Sequence, residues 1–441
     1  MGVAEHSEAV GERARLGTVL NPPGIPGEHQ PDRRHPIFRL PSNGTAAPIA
    51  RWCEAGLDAA VLLFFPLLVL LPRGIAALVS AAGLCAAGFV LSTRSLRLNP
   101  PLLVTTILLG SLVLWGTVSA FWSVVPLRSL VLAVRLSGLF AAGLALVAAA
   151  RLVAAPRRLT LFLLASLVLG IAMAVIELAT DGMLSSFFSE RVYRATRLNQ
   201  ASVSFAILIF PACAVLVCRG QAIFALLLAA VTAATIYALV GTAAKAVLIA
   251  GLPMGLLLYR SRARVARAAA VISVVAIITA PLTFARLERL PGLLETADVV
   301  KLSVGHRLLI WSFAGDRIAE RALVGWGLDA SRAIPGGEDL IRTGETWLPL
   351  HPHNAALQLW LELGVPGAVL FALLVAIAWL ALSNAEWPRL FAGAAGASLT
   401  IALVGCFATY GMWQEWWLGT LWFSLFLILA MARVAHSPGV S

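Results

Sequence analysis

Apolar residues in this chain come in runs whose length fits one solvent. A helix needs about 20 predominantly apolar residues to cross the hydrocarbon core of a bilayer, and about twelve stretches qualify. They are 53–72, 75–93, 101–121, 129–150, 159–180, 201–218, 221–240, 243–259, 268–285, 361–383, 390–411 and 415–433. Hydrocarbon offers no partner to backbone N–H and C=O groups, so runs of this kind form helices, which satisfy those groups internally. The expected fold is an all-α integral membrane protein with about 12 transmembrane helices. Composition excludes a soluble domain: 60% of the 441 residues are hydrophobic and 12% are charged.

The net charge of +11 invites a nucleic-acid reading. Its distribution argues against one, because the basic residues sit in short clusters between apolar runs, the pattern that sets membrane orientation. With the N-terminus inside, the inner loops carry Arg94 and Arg97, then Arg151, Arg157 and Arg158, then Arg219, then Arg260, Arg262, Arg264 and Arg267, and lastly Arg389. The short outer turns carry only Arg73 and Arg128, and an even number of spans returns Arg433 to the inner side. The five cysteines, Cys53, Cys85, Cys213, Cys218 and Cys406, have no zinc or disulfide spacing and read as small buried apolar residues.

The chain divides accordingly. Residues 1–50 read as a disordered inner tail, too polar to span and followed by an apolar run that starts too late for a signal peptide. Residues 51–285 hold spans one to nine, with a short outer loop near 181–200. Residues 286–360 form the one long outer loop, 361–433 the last three spans, and 434–441 an inner tail. The loop near 181–200 carries Arg191, Arg194 and Arg197 on the side that the charge rule disfavours, which an anionic ligand would explain.

Within the long loop, 304–321 reads as a helix with Arg307 and Trp311 one turn apart on one side. Gly325-Trp326-Gly327 ends it, and Pro335-Gly336-Gly337-Glu338-Asp339 is a turn. Pro349 and Pro352 predict an extended approach to His353. Asn354 is placed to cap the helix that follows, on which Asn354, Gln358 and Glu362 form one polar stripe until Gly364 and Pro366 end it.

The order of these elements resembles the O-antigen ligase and O-antigen polymerase superfamily. The elements read Arg194-Ala195-Thr196-Arg197-Leu198-Asn199, Arg307-Leu308-Leu309-Ile310-Trp311, Gly325-Trp326-Gly327, His353-Asn354-Ala355-Ala356-Leu357-Gln358 and Glu362-Leu363-Gly364-Val365-Pro366-Gly367. The resemblance implies a glycosyltransferase of GT-C-like helical architecture in the bacterial inner membrane, its long loop and active site facing the periplasm. It implies transfer of a glycan from undecaprenyl pyrophosphate to an acceptor hydroxyl, without cofactor, metal or nucleotide sugar. The acceptor is lipid A–core in a ligase and a lipid-linked glycan in a polymerase. By position, the key residues are Arg194, Arg307 and His353, with Arg191 and Arg197 as neighbouring equivalents. Where many members carry Ser-Arg-Gly, this chain has Ala244-Lys245-Ala246.

The residue types suit that chemistry. Breaking a bond from an anomeric carbon to pyrophosphate builds negative charge on the leaving group, which guanidinium groups match in pairs without losing their own charge. Lys245, an ionisable group within a span, is a further candidate for pyrophosphate. His353 is the candidate general base, since imidazole titrates near neutral pH, and one-step attack would invert the anomeric centre. Asn354, Gln358 and Trp311 are candidates for orienting the loop or binding sugar. His351 and His306 read as loop residues, and a metal site on His351 and His353 lacks an evident third ligand. Two alternatives stand beside a ligase: a polymerase of O-antigen or exopolysaccharide repeats, and a transporter or flippase of lipid-linked glycan. Against the last, no two broken spans match between the chain's halves.

Overall fold

The computed structural model describes residues 46–93, 100–188 and 194–436. Arg191, Arg94, Arg97 and most of both predicted tails lie outside the described residues. The architecture is all-α. Its main helices are α1 (Ala46–Leu70), α2 (Ile75–Thr93), α3 (Pro100–Val118), α4 (Pro126–Ala150), α5 (Pro156–Ala179), α6 (Asn199–Cys218), α7 (Ala222–Ala238), α8 (Thr242–Ile278), α9 (Leu302–Glu320), α10 (Ala355–Ser383), α11 (Arg389–Ala408) and α12 (Glu415–His436). The first helix starts a few residues before the expected boundary, and α12 runs past its own. The only strands among the described residues are a short hairpin, Leu340–Arg342 with Glu345–Thr346.

Among the described residues, ten helices are long and apolar enough to cross a membrane, against the twelve or so expected. One difference is α7, apolar but only 17 residues long. The other is α8, whose 37 residues correspond to two expected spans. Ser261 interrupts it with non-helical φ −147° and ψ 64°. Before Ser261 the chain packs on α11, with Gly251 against Ile401 and Gly255 against Ala397. After it the chain packs on α10: Ser383 Oγ donates to Ala263 O at 3.4 Å, and Trp360 Nε1 to Ile277 O at 2.9 Å. Since α10 and α11 are antiparallel neighbours, the halves of α8 run in opposite directions along the bundle. A straight helix of that length would reach about 55 Å, far beyond a hydrocarbon core of about 30 Å. The turn at Ser261 lies among Arg260, Arg262 and Arg264, the cluster read as an inter-span loop.

The two ends of the bundle differ. One gathers inter-span arginines: Arg158 meets Asp58 at 2.8 Å and Glu54 at 3.8 Å, and Arg262 donates to Trp387 O at 3.2 Å. The other gathers the polar segment 286–354, the turn 409–414 and the segment that begins α6.

At that second end α10 is broken rather than ended. Gly364 takes φ 63° and ψ −155°, and Pro366 has no N–H, so the carbonyls of Leu361, Glu362 and Leu363 lose their helical partners. Each finds another donor. Trp326 N–H donates to Leu361 O at 2.9 Å, Gly327 N–H to Glu362 O at 2.8 Å, and Trp115 Nε1 to Leu363 O at 2.9 Å. The freed Val365 N–H donates to Ala322 O at 3.0 Å. The Gly-Trp-Gly segment thus serves as the missing turn of α10. Gly325, at φ 71°, lies against the Glu362 carbonyl where any Cβ would collide. The far side of the segment is pinned too: Leu328 N–H donates to Ser119 Oγ at 3.0 Å, and Ser129 Oγ to Leu328 O at 2.6 Å.

Gly325→Ala is expected to lower the thermal unfolding midpoint in detergent well below wild type, because it adds a backbone collision to strain. Gly344→Ala is the control. It shares the left-handed φ of 79° but has no atom within 4 Å, so it should cost only the backbone strain of about 1–2 kcal/mol.

Candidate functional site

The site grows from α9 and the turn before α10. Arg307 and Trp311 are one helical turn apart on α9. Trp311 Nε1 donates to Pro352 O at 2.7 Å, which ties α9 to the turn. Phe284 packs edge-on against Trp311 with ring centroids 5.7 Å apart. The indole therefore positions backbone, and the arginine one turn away is carried to the histidines.

Beyond Pro352 the chain leaves the extended region. His353 adopts φ 54°, a left-handed conformation that costs a non-glycine residue about 1–3 kcal/mol. Two hydrogen bonds offset that strain and fix both imidazoles. His353 Nδ1 lies 2.7 Å from Thr409 O. A carbonyl only accepts, so Nδ1 carries the proton and Nε2 of neutral His353 is left as a bare acceptor. His353 N–H donates to His351 Nδ1 at 3.1 Å, so the proton of neutral His351 is on Nε2. That atom is 3.2 Å from the Gln414 amide, which must then present its oxygen. The two rings lie 4.2 Å apart.

Electrostatics keep both rings neutral. Burial pushes His351 down to about 3, aided by His353, Arg332 and Arg307. Burial also lowers His353; the Thr409 carbonyl opposes this, while Arg307 and His306 add to it. Arg307 is half-buried and forms no ion pair among the described residues. Its own value is lowered by burial, opposed by Tyr410. Burial raises the Tyr410 phenol above its ordinary value, so it stays protonated, and its Oη donates to Asn199 O at 3.2 Å. Tyr410 therefore joins the arginine segment at the head of α6 to the Arg307–His353 pair.

Other expected residues sit elsewhere. Asn354 caps α10 as anticipated, its Oδ1 accepting from Leu357 N–H at 3.2 Å, while its buried Nδ2 has no hydrogen-bond partner among the described residues. Gln358 spends its amide on the protein: Nε2 donates to Glu362 at 3.0 Å, and Oε1 accepts from Met412 N–H at 2.8 Å. Arg194 is exposed and Arg197 half-buried, at the short turn before α6. Lys245 lies in the first turn of α8 with its ammonium 4.9 Å from the Tyr237 ring centroid. Gly241, just before it, abuts the Asn199 amide. Among the described residues no hydrogen bond or ion pair joins Arg194, Arg197 or Lys245 to His353. They share its end of the bundle through Asn199.

In the sequence Glu362 belongs to the polar stripe and opens the Glu362-to-Gly367 element, with no role assigned to it. Its carboxylate is fully buried and accepts four hydrogen bonds. Asp329 N–H and Trp413 Nε1 each donate at 2.6 Å, Gln358 Nε2 at 3.0 Å, and Ser331 Oγ adds a short one. Those donors come from the long polar segment, the turn before α12 and α10 itself. Four donors fill the lone-pair sites of a carboxylate, so Glu362 is a structural centre rather than a free base. Tyr410 and Thr409 had no sequence signal: both fell inside the expected span 390–411, whereas the helix ends at Ala408. Glu362→Gln would set an amide N–H₂ among donors; a loss of about 3 kcal/mol in unfolding free energy is expected, read from denaturant titration in detergent.

Comparison with known proteins bears on this segment. Residues 222–372 match the family model described as O-antigen ligase. Proteins named "Putative polysaccharide ligase" are similar over the same order of length. The one from Rickettsia conorii (strain ATCC VR-613 / Malish 7) is 34% identical over 143 residues, 31% of this chain and 33% of that protein. The one from Rickettsia felis (strain ATCC VR-1525 / URRWXCal2) is 32% identical over 143 residues, 31% of this chain and 34% of that protein. The one from Rickettsia prowazekii (strain Madrid E) is 33% identical over 143 residues, with the same coverage of each chain as in Rickettsia felis. The chain thus matches about a third of the length of these curated relatives. The matched family segment contains Lys245, Arg307, Trp311, the Gly-Trp-Gly segment, both histidines and Glu362; Asn199 and Tyr410 lie outside it. Over residues 222–372, the chain is similar to the O-antigen ligase family and to these polysaccharide ligases.

Proposed function

We propose that the chain is an O-antigen ligase-type glycosyltransferase of the bacterial inner membrane, with its site on the periplasmic face. It moves a glycan from undecaprenyl pyrophosphate to a hydroxyl of lipid A–core. The observation that carries the reading is the pairing of a bare imidazole nitrogen, His353 Nε2, with a half-buried guanidinium, Arg307, that has no counter-ion among the described residues. His353 Nε2 takes the acceptor hydroxyl's proton as its oxygen attacks the anomeric carbon. The bond from that carbon to the pyrophosphate oxygen breaks, and its electron pair leaves with the polyprenyl pyrophosphate. Attack from the face opposite the leaving group inverts the centre.

Arg307 stabilises the charge that grows on the leaving group, and its partial burial strengthens that effect. Arg194, Arg197 and Lys245 complete the anionic end of the donor site from the adjoining segments. Arg191 belongs to the same arginine-rich loop. Trp311, Asn354 and Gln358 hold the histidine turn in place. The charge on the departing pyrophosphate is thereby met by side chains rather than by a metal.

The experiment is transfer from a purified undecaprenyl-pyrophosphate glycan by the full-length protein. His353→Ala is expected to fold normally and to lose about 10²–10⁴-fold in turnover, the range for a removed general base. Near wild-type transfer by that variant overturns the assignment. Growth of the glycan on its lipid carrier, with none passed to lipid A–core, would mark a polymerase. Transport with no new glycosidic bond would mark a flippase.

The pH dependence follows from His353. A base acts only when deprotonated, and its value is lowered from 6.5 in the fold. Turnover should therefore persist as pH falls through 6.5 and decline only at lower pH. An acidic limb centred at or above 6.5 in the rate profile would contradict this.

A further inference from the structure

A polar cleft opens beside the histidines, with a volume of about 420 Å³. Arg73, Arg135, Arg332, His351 and Gln414 line it. Neither Arg307, His353, Asn199 nor Arg194 does. The wall between is the turn 409–416. Thr409 and Tyr410 face His353, Arg307 and Asn199, while Gly411 and Gln414 face the cleft. The wall is one imidazole thick at His351, whose ring lies 4.2 Å from that of His353. Gly411 keeps it thin, since a Cβ there would come within 2.7 Å of His351 Cδ2.

The charges in this cleft are only partly compensated. Arg135 meets Glu415 at 3.3 Å, and Asp329, the other carboxylate of the lining, is held by Arg128 at 2.9 Å. Arg73 and Arg332 are exposed and form no ion pair among the described residues. They come from distant parts of the chain, the turn Pro72–Gly74 and the turn Ala330–Ala333. Arg135 lies more than two turns inside the apolar helix α4, where ionisable side chains generally line water-filled substrate paths.

We infer that this cleft, formed by Arg73, Arg135 and Arg332 beside His351, binds a phosphate monoester of the acceptor glycan. The inference rests on the transferase reading. A phosphate monoester carries about −1.5 to −2 near neutral pH, which matches two uncompensated guanidinium groups better than a single carboxylate does. Guanidinium forks also suit its oxygens in pairs. With its phosphate in the cleft, an acceptor sugar lies one ring away from the base, and the donor's pyrophosphate keeps to the Arg307 side. Donor and acceptor anions thus have separate cationic sites, and the histidine turn stands between them.

The test uses the full-length protein in phosphatidylcholine nanodiscs and two synthetic glycolipid acceptors that differ by one phosphate monoester. The phosphorylated acceptor is expected to bind wild type at least tenfold more tightly, and the double variant R73A/R332A should erase the difference. In transfer assays that variant should raise the KM for the phosphorylated acceptor and leave the donor KM unchanged. Equal binding of the two acceptors by wild type overturns the inference, as does a rise in the donor KM alone. Displacement of the phosphorylated acceptor by phosphatidylglycerol, at the ratio expected for simple competition between phosphates, would assign the cleft to a lipid headgroup and overturn it too. Phosphate-dependent binding without any transfer would sink the transferase reading and leave the anion site standing. Transfer without phosphate preference would do the reverse.

Discussion

The rest of this site depends on how the broken turn of α10 is satisfied. A helix interrupted within a membrane frees backbone groups that neither lipid nor water satisfies, at several kcal/mol apiece. Here Leu361, Glu362 and Leu363 find donors in Trp326, Gly327 and Trp115, and Val365 finds the Ala322 carbonyl. The long polar segment therefore cannot lift away without stranding those groups. That constraint fixes the segment's register against α10 and, through Leu328, against the junction of α3 and α4.

Glu362 extends the same logic to side chains. A buried carboxylate is tolerated when every lone pair is met, and its four donors come from parts of the chain up to about eighty residues apart. They draw the turn before α12 toward α10, which sets Thr409 opposite His353. The proton on His353 Nδ1, and hence the free Nε2, follows from that placement. The left-handed φ of His353 is the local cost of aiming the ring there. Structural satisfaction and proposed chemistry are thus coupled, because the elements that meet the broken backbone also present the imidazole and Arg307.

Much of this was legible in the residues, unevenly. Apolar length alone gave the all-α membrane architecture, and the arginine cluster at 260–267 correctly divided α8, where helix length by itself suggests one element. The spacing of Arg307 and Trp311 put them on one face of α9, and Asn354 read as a cap, because both are local rules of a helix. Trp311 read as a candidate for orienting the loop or binding sugar; its N–H holds Pro352 O. Gln358 read as a candidate for sugar, yet both ends of its amide are bonded within the protein. Tyr410 was silent, since nothing near it in sequence hints that it reaches Asn199 and Arg307.

The sequence by itself determined which segments are helices, where they break and which polar groups collect between spans. Those outcomes follow from hydrophobic length, proline and glycine chemistry and spacing along one helix, all of which act over a few residues. Only the tertiary structure decided which polar groups meet. Arg307 faces His353 and Tyr410, Glu362 gathers its four donors, and Arg73 stands across a cleft from Arg332. Such pairings join segments far apart in the chain, and they are set by packing and by the requirement that every buried polar group find a partner, which no local pattern records.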